Sequence, residues 1–310
     1  MKLWTEDDVR SRLTLPQVID SLEAVLSHEA AGSAWNLDKT MTTWPDGEAR
    51  GSAHALGALD RDADLAIFKT WVNTPAGASA LMTVFTAGDG ATLGVAEAGA
   101  AGALRTAAIS GVATRLMADP DADELAVLGA GRQALRQVEA VAAVRPLRRV
   151  RLWNRTTDRA HTLAEQVRDE LGLEVVVAGS VDEATRDAPV VTLVTRAAEP
   201  FLRPEHLAHG AHLNAVGAIL PGYAEFDPAL LRESALTVVD SEGNARRGSR
   251  ELREFFGPAD DADWGAVRRL CDVVAGKAER PSGARVTVFK GMGMGLSDLA
   301  VARLIVGGPR

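Results

Sequence analysis

The sequence predicts an α/β fold: a Rossmann-type, doubly wound parallel-sheet domain joined to a smaller α+β domain built from both chain ends. Three observations predict it. From Leu125 onward, short apolar runs alternate with helical spacing, the rhythm of a parallel sheet covered on both faces. The run Leu125–Leu128 passes directly into Gly129-Ala130-Gly131-Arg132-Gln133-Ala134, a glycine-spaced turn that opens a helix. Residues 119–123, Asp-Pro-Asp-Ala-Asp, form a polar break that separates this region from one of different character.

In chain order, Thr5 to Ser27 reads as a helical opening. Thr14 is placed as a cap with Pro16 in the first turn, followed by Val18, Ile19, Leu22, Val25 and Leu26 at helical spacing. Residues 35–95 read as strands, with turns at Asp46-Gly47 and Asp89-Gly90 and the best strands at Ala63–Val72 and Ala80–Thr86. Ala96–Met117 is Ala-rich and reads as one long helix with exposed apolar residues, a surface for pairing with a second copy. Strands follow at 125–128, 149–153, 174–178, 190–194, 212–216 and 236–240, and a last one at Arg285–Lys290. Leu296–Val306 reads as an amphipathic helix returning to the first domain. The expected division is 1–118 with 296–310, and 119–295.

With 310 residues, 46% hydrophobic and 25% charged, the chain has the composition of a soluble globular protein large enough for two cores. A net charge of −8 argues against nucleic acid or an anionic membrane as partner. The single cysteine, Cys271, lies in an apolar run, which excludes an internal disulfide and a multi-cysteine zinc site; no metal is expected. The first ten residues are polar and do not read as a secretory leader, so the expected location is the cytoplasm.

The glycine-spaced turn carries the chemistry of a dinucleotide site. Gly129 permits the tight turn, Gly131 lets the backbone approach a pyrophosphate, and Ala134 lets the helix lie close on the strand. The helix N-terminus offers free N–H groups to phosphate. The second strand, Val150–Trp153, ends in Asn154-Arg155-Thr156, with no acid at the tip to hold a ribose 2′-hydroxyl. A guanidinium and a hydroxyl there suit a 2′-phosphate, so the expected cofactor is NADPH (NADP).

In the first domain, Lys69 sits in the apolar strand Leu65–Lys69, and Arg105 among small residues of the Ala-rich helix. Either cation is costly to bury unpaired and calls for an anion or a protein carboxylate. With these residues in hand, the chain resembles the ornithine cyclodeaminase/mu-crystallin family over nearly its whole length. The carriers are Phe68-Lys69-Thr70, Arg105-Thr106-Ala107-Ala108, residues 129–134, Trp153-Asn154-Arg155-Thr156, Asn214-Ala215-Val216-Gly217-Ala218 and Val286–Gly293. The resemblance implies a Rossmann domain inserted in a substrate-binding and dimerisation domain, a homodimer, and hydride exchange between nicotinamide and a C=N bond next to a carboxylate. It implies that Lys69 and Arg105 hold the substrate carboxylate, with Lys69 also in proton transfer. Thr195, Arg196, Val216 and Met292 join Gly129, Ala130, Gly131, Arg132, Gln133, Asn154, Arg155 and Thr156 as implied cofactor contacts.

Two departures from the family pattern set the expected activity. Ile219 stands where cyclodeaminases carry an aspartate ahead of Pro221-Gly222, and an alkyl chain cannot transfer the protons that ammonia loss requires. Lys39 stands nearest to a carboxylate-binding arginine and gives a point charge instead of a bidentate fork. His54 is a further substrate-site candidate. The expected function is an NADPH-dependent imine reductase acting on a small imine or imino acid. The alternatives are an amino-acid cyclodeaminase or alanine-type dehydrogenase, and a non-catalytic NADPH-binding protein.

Overall fold

The computed structural model describes residues 1–46, 49–258 and 262–307. The expected turn at Asp46-Gly47 includes Gly47, which lies outside the described residues. Contacts divide the chain into two compact units, Met1–Ala108 with Met294–Arg310, and Ile109–Gly293. The division falls inside a helix and not at the polar break after residue 118, because that helix runs unbroken from Gly99 to Met117.

The first unit opens with β1 (Lys2–Trp4), α1 (Glu6–Arg12) and α2 (Leu15–Ala31). The single helix expected here is two, because Leu13 is extended and Thr14 starts afresh with a capping box to Gln17. Then come β2 (Ala34–Asp46), β3 (Ala49–Asp60), β4 (Leu65–Thr74), β5 (Gly77–Phe85), β6 (Thr92–Glu97) and α3 (Gly99–Met117). The sheet order is β1-β6-β5-β4-β3-β2, antiparallel except for β1 beside β6. β1 escaped the sequence reading because three residues are too few to show alternation.

Alternation along β4 sorts its side chains. Leu65, Ile67 and Lys69 are buried, whereas Phe68, Thr70 and Val72 face out. Registry places Leu37, Phe68 and Val72 on one outer face with Trp35 and Leu81, and all five are exposed. Apolar exposure therefore lies on the sheet and not on the Ala-rich helix, where it was expected. Ala101, Leu104, Ala107, Ile109, Val112 and Met117 of α3 are buried.

The second unit contains β7 (Glu124–Leu128), α4 (Ala134–Ala142), β8 (Arg149–Trp153), α5 (Thr157–Leu171), β9 (Glu174–Val177), α6 (Val181–Thr185), β10 (Val190–Leu193) and β11 (Ala211–Ala215). It continues with β12 (Ser234–Val239), α7 (Glu242–Gly248), α8 (Arg250–Phe256), β13 (Val267–Arg269), α9 (Leu270–Val274) and β14 (Val286–Lys290). The eight strands are parallel in the order β13-β12-β14-β11-β10-β7-β8-β9. Leu125 and Val127 pack into one core, and Ala126 and Leu128 into another, so both faces are covered. The strand order reverses between β7 and β10, the topological switch point at which such sheets bind ligands.

The last helix, α10 (Gly295–Gly307), belongs to the first unit and packs on α2, β3 and β4. It is not amphipathic as expected: Gly295 through Ala302 are all buried. A Cβ on Gly295 would stand 2.0 Å from the Gly57 carbonyl oxygen, so the helix start lies directly on β3. Among the described residues no helix is long and apolar enough to cross a membrane.

Candidate functional site

In the second unit the turn between β7 and α4 has the form that a phosphate cradle needs. Gly129 has φ +122°, and a Cβ there would stand 2.8 Å from the Val194 carbonyl oxygen, so only glycine fits. Gly131 has open space where its Cβ would be. Gly129 N–H donates to the Trp153 carbonyl (2.8 Å), and Ala130 N–H donates to Asn154 Oδ1 (3.1 Å). Asn154 Nδ2 in turn donates to the Thr156 carbonyl (2.8 Å). Asn154 thus fastens the β8–α5 turn to the glycine turn. Arg132, Arg155 and Thr156 are exposed, and neither arginine has an ion pair or side-chain hydrogen bond among the described residues. Gln133 Oε1 is buried without a partner among the described residues. Open space at Gly131 and free guanidinium groups fit a dinucleotide phosphate.

On the other side of the switch point the strand ends are tied by one acid. Glu225 is fully buried. Its Oε1 accepts from Thr195 N–H (2.6 Å) and Thr195 Oγ1 (2.8 Å), and its Oε2 from Gly217 N–H (2.8 Å) and Ala218 N–H (3.0 Å). Glu225 N–H donates to Glu251 Oε1, which also takes Lys290 Nζ at 3.0 Å. Burial pushes the Glu225 carboxyl up, against the pull of Lys290 and of the Thr195 and Ala218 donors. Val216 is buried beside Gly291, and Met292 is buried with its N–H on Asp240 Oδ1 (2.8 Å). Arg196 and Ile219 are exposed.

In the first unit β4 and α10 bring together residues 229 positions apart. Lys69 Nζ donates to Asp298 Oδ1 at 2.8 Å, and Arg105 Nε stands 3.5 Å from the same oxygen. Lys69 and Asp298 are buried, and among the described residues neither Arg105 Nε nor Asp298 Oδ2 has a hydrogen-bond partner. Lys39 lies where the β2–β3 register shifts between Leu37 and Thr40. Its Nζ is 5.4 Å from the centre of the Trp71 ring, and Lys69 Nζ is 5.5 Å from it. His54 stacks on Trp71 with centroids 4.6 Å apart, and its Nε2 is 2.9 Å from Ser52 Oγ. Burial, with Arg105 and Lys69 nearby, holds the Lys39 ammonium below its usual pKa. Burial lowers that of Lys69 too, opposed by Asp298. Lys69 and Arg105 thus share one buried acid, and among the described residues Lys39, close to both, makes no ion pair.

Lys39, His54, Lys69 and Arg105 therefore gather within the first unit. The dinucleotide candidates gather at the strand ends of the second. Sequence reading missed Asp298, Trp71 and the Glu225–Glu251–Lys290 network. The signal for Asp298 was present: it is the one charged residue in the stretch Leu296–Ala302.

Comparison with known proteins gives the same outline. Residues 2–307 match the ornithine cyclodeaminase/mu-crystallin family. The chain is 33% identical to ketimine reductase mu-crystallin of Mus musculus, over 97% of this chain and 93% of that protein. It superposes with TM-score 0.89 and 26% identity on Thermococcus litoralis Δ1-pyrroline-2-carboxylate reductase in complex with NADH and L-proline, over 99% of this chain and 97% of that one. An archaeal alanine dehydrogenase dimer with bound NAD superposes with TM-score 0.88 at 25% identity, over 98% and 95%.

Proposed function

The chain belongs to the ornithine cyclodeaminase/mu-crystallin family, and from that premise we propose that it is an NADPH-dependent reductase of cyclic imines that carry a carboxylate. The observation that carries this reading is the surplus of positive charge around buried Lys69 and Asp298. Lys69 and Arg105 share that one acid, the half-buried Lys39 beside them makes no ion pair among the described residues, and a substrate carboxylate supplies a partner.

Gly129, Ala130, Gly131, Arg132 and Gln133 hold the pyrophosphate; Arg155 and Thr156 take the 2′-phosphate, and Asn154 positions both turns. Thr195, Arg196, Val216 and Met292 line the nicotinamide end. Reduced nicotinamide supplies the hydride when bound. Arg105 and Lys39 orient the substrate carboxylate, and His54 and Trp71 form the aromatic wall beside it. Lys69 is aimed by Asp298 and gives a proton to the imine nitrogen as the carbon accepts hydride, so that C=N becomes CH–NH. Ile219 offers an alkyl surface to a cyclic substrate and no group for ammonia loss.

The first unit thus binds substrate, and the second binds dinucleotide. The exposed apolar face of Trp35, Leu37, Phe68, Val72 and Leu81 pairs with a second copy to form a homodimer. A cytoplasmic enzyme fits the polar first residues, and the acidic balance argues against a nucleic-acid or anionic-membrane partner. The test is NADPH consumption against a panel of cyclic ketimine carboxylates, with ammonia release from ornithine measured alongside. Consumption without ammonia supports the reading. Proline and ammonia formed from ornithine would replace it with a cyclodeaminase.

A further inference from the structure

Glu225 sits where four donors from two loops converge, and nothing in the phosphate cradle explains it. Thr195 follows β10, and Gly217 and Ala218 follow β11. A Cβ on Gly217 would stand 2.1 Å from the Thr195 carbonyl oxygen and 2.4 Å from Glu225 Oε1. The two loops are therefore drawn into contact around one carboxylate. Four donors on two oxygens fill the lone-pair sites of an ionised carboxylate and leave none for a proton. An amide in its place would offer one oxygen, and would turn an NH2 group toward N–H donors.

The placement of this clamp gives it a role. The phosphate turn lies at the end of β7, and the 2′-phosphate candidates at the end of β8. A dinucleotide that runs across the switch point with its adenosine end over β8 brings its nicotinamide end over β10 and β11. Gly129 also packs on the Thr195 loop: its Cβ would stand 3.0 Å from Thr195 Cγ2.

We propose that Glu225 is a positioning residue for the nicotinamide half of the cofactor, gathering Thr195, Gly217 and Ala218 into the surface against which that half lies. Glu251 and Lys290 are its support. Lys290 balances part of the buried negative charge, and Ser249 Oγ donates to Glu251 Oε2 at 3.0 Å, which keeps Glu251 aimed at the Glu225 N–H. The proposal rests on the dinucleotide reading, and its test separates the two.

The test is calorimetric titration of wild type, Glu225→Gln and Thr195→Val with NADPH and with 2′,5′-ADP, a probe of the adenosine half alone. Glu225→Gln is expected to weaken NADPH about tenfold or more, the value of a charge-assisted hydrogen bond, with 2′,5′-ADP affinity unchanged. Thr195→Val removes one donor and is expected to act in the same direction by a smaller factor. It decides the matter if Glu225→Gln does not fold. NADPH affinity unchanged in both variants, or both ligands weakened in parallel, overturns the proposal. Wild type that binds neither probe overturns the dinucleotide reading, and this proposal with it.

Discussion

Two clusters of buried charge, one in each unit, are built in opposite ways. In the second, Glu225 has four donors, Glu251 has partners on both oxygens, and Lys290 has an acid at 3.0 Å. In the first, Lys69 and Arg105 share Asp298 with Lys39 nearby, and among the described residues Lys39 makes no ion pair and Arg105 Nε and Asp298 Oδ2 have no hydrogen bond. A buried ion costs several kcal/mol unless paired and hydrogen-bonded. A complete network is therefore architecture, and an incomplete one is a site whose missing partner is a ligand. The sign of the surplus states which ligand: an anion.

The largest expected effect breaks the incomplete side. Lys69→Met is expected to lower imine reduction by about 10²–10⁴-fold, the usual worth of a positioned proton donor. NADPH affinity is expected to stay, since every dinucleotide-turn residue belongs to the other unit. Steady-state kinetics beside a cofactor titration reads both; an unchanged kcat would remove Lys69 from the chemistry.

Asp298→Asn takes away the acid that Lys69 and Arg105 share. The cost expected is roughly 3 kcal/mol of stability, as for other buried pairs that lose a partner. A carboxylate ligand is expected to restore part of it in denaturant melts. Glu251→Gln, in the network that is already complete, is expected to destabilise without any such rescue. Rescue of both, or of neither, would erase the distinction between the units.

Arg155→Ala tests a smaller, local charge. NADPH affinity is expected to fall about ten- to a hundredfold while NADH affinity holds, because a charged hydrogen bond is worth about 1.5–3 kcal/mol. Equal NADPH and NADH affinities in wild type would contradict the assignment of Arg155.

The smallest effect is in pH. Lys39 has its ammonium disfavoured first by burial, then by Arg105 and Lys69. Its proton is lost as pH rises through a value below 10.5, so substrate affinity is expected to decline severalfold on that limb. The stability term has the opposite sign: the contribution is complete above 10.5 and falls away as pH drops through the lowered folded value. Lys39→Arg is expected to move the affinity limb upward. A KM profile that does not shift would show that Lys39 does not hold the carboxylate.

The same contrast explains what the sequence shows. The β7–α4 turn is legible because its function is local: six consecutive residues carry the glycines, the open helix end and the small packing residue. Strands β7, β8 and β10 follow for the same reason, since each is a short apolar run between turn signals. Lys69 and Arg105 are legible as unpaired cations in apolar segments, but their partner is not. Asp298 reaches Lys69 only because α10 returns to lie on β4, a contact set by packing across 229 positions. Glu225 is hidden similarly: three of its four donors are backbone N–H groups, which leave no mark on residue type. The exposed apolar face was misplaced on α3 because Ala-rich spacing does not say which neighbours cover a helix.

The most direct test of the anion reading compares two substrates that differ by one group, Δ1-pyrroline-2-carboxylate and Δ1-pyrroline, in NADPH-dependent reduction by the wild-type protein. The missing carboxylate leaves buried cations unpaired, a loss of roughly 3 kcal/mol or more. The account therefore expects kcat/KM to be at least about a hundredfold higher for the carboxylate. Equal values for the two would contradict it, and the surplus charge of the first unit would then have no part in substrate recognition.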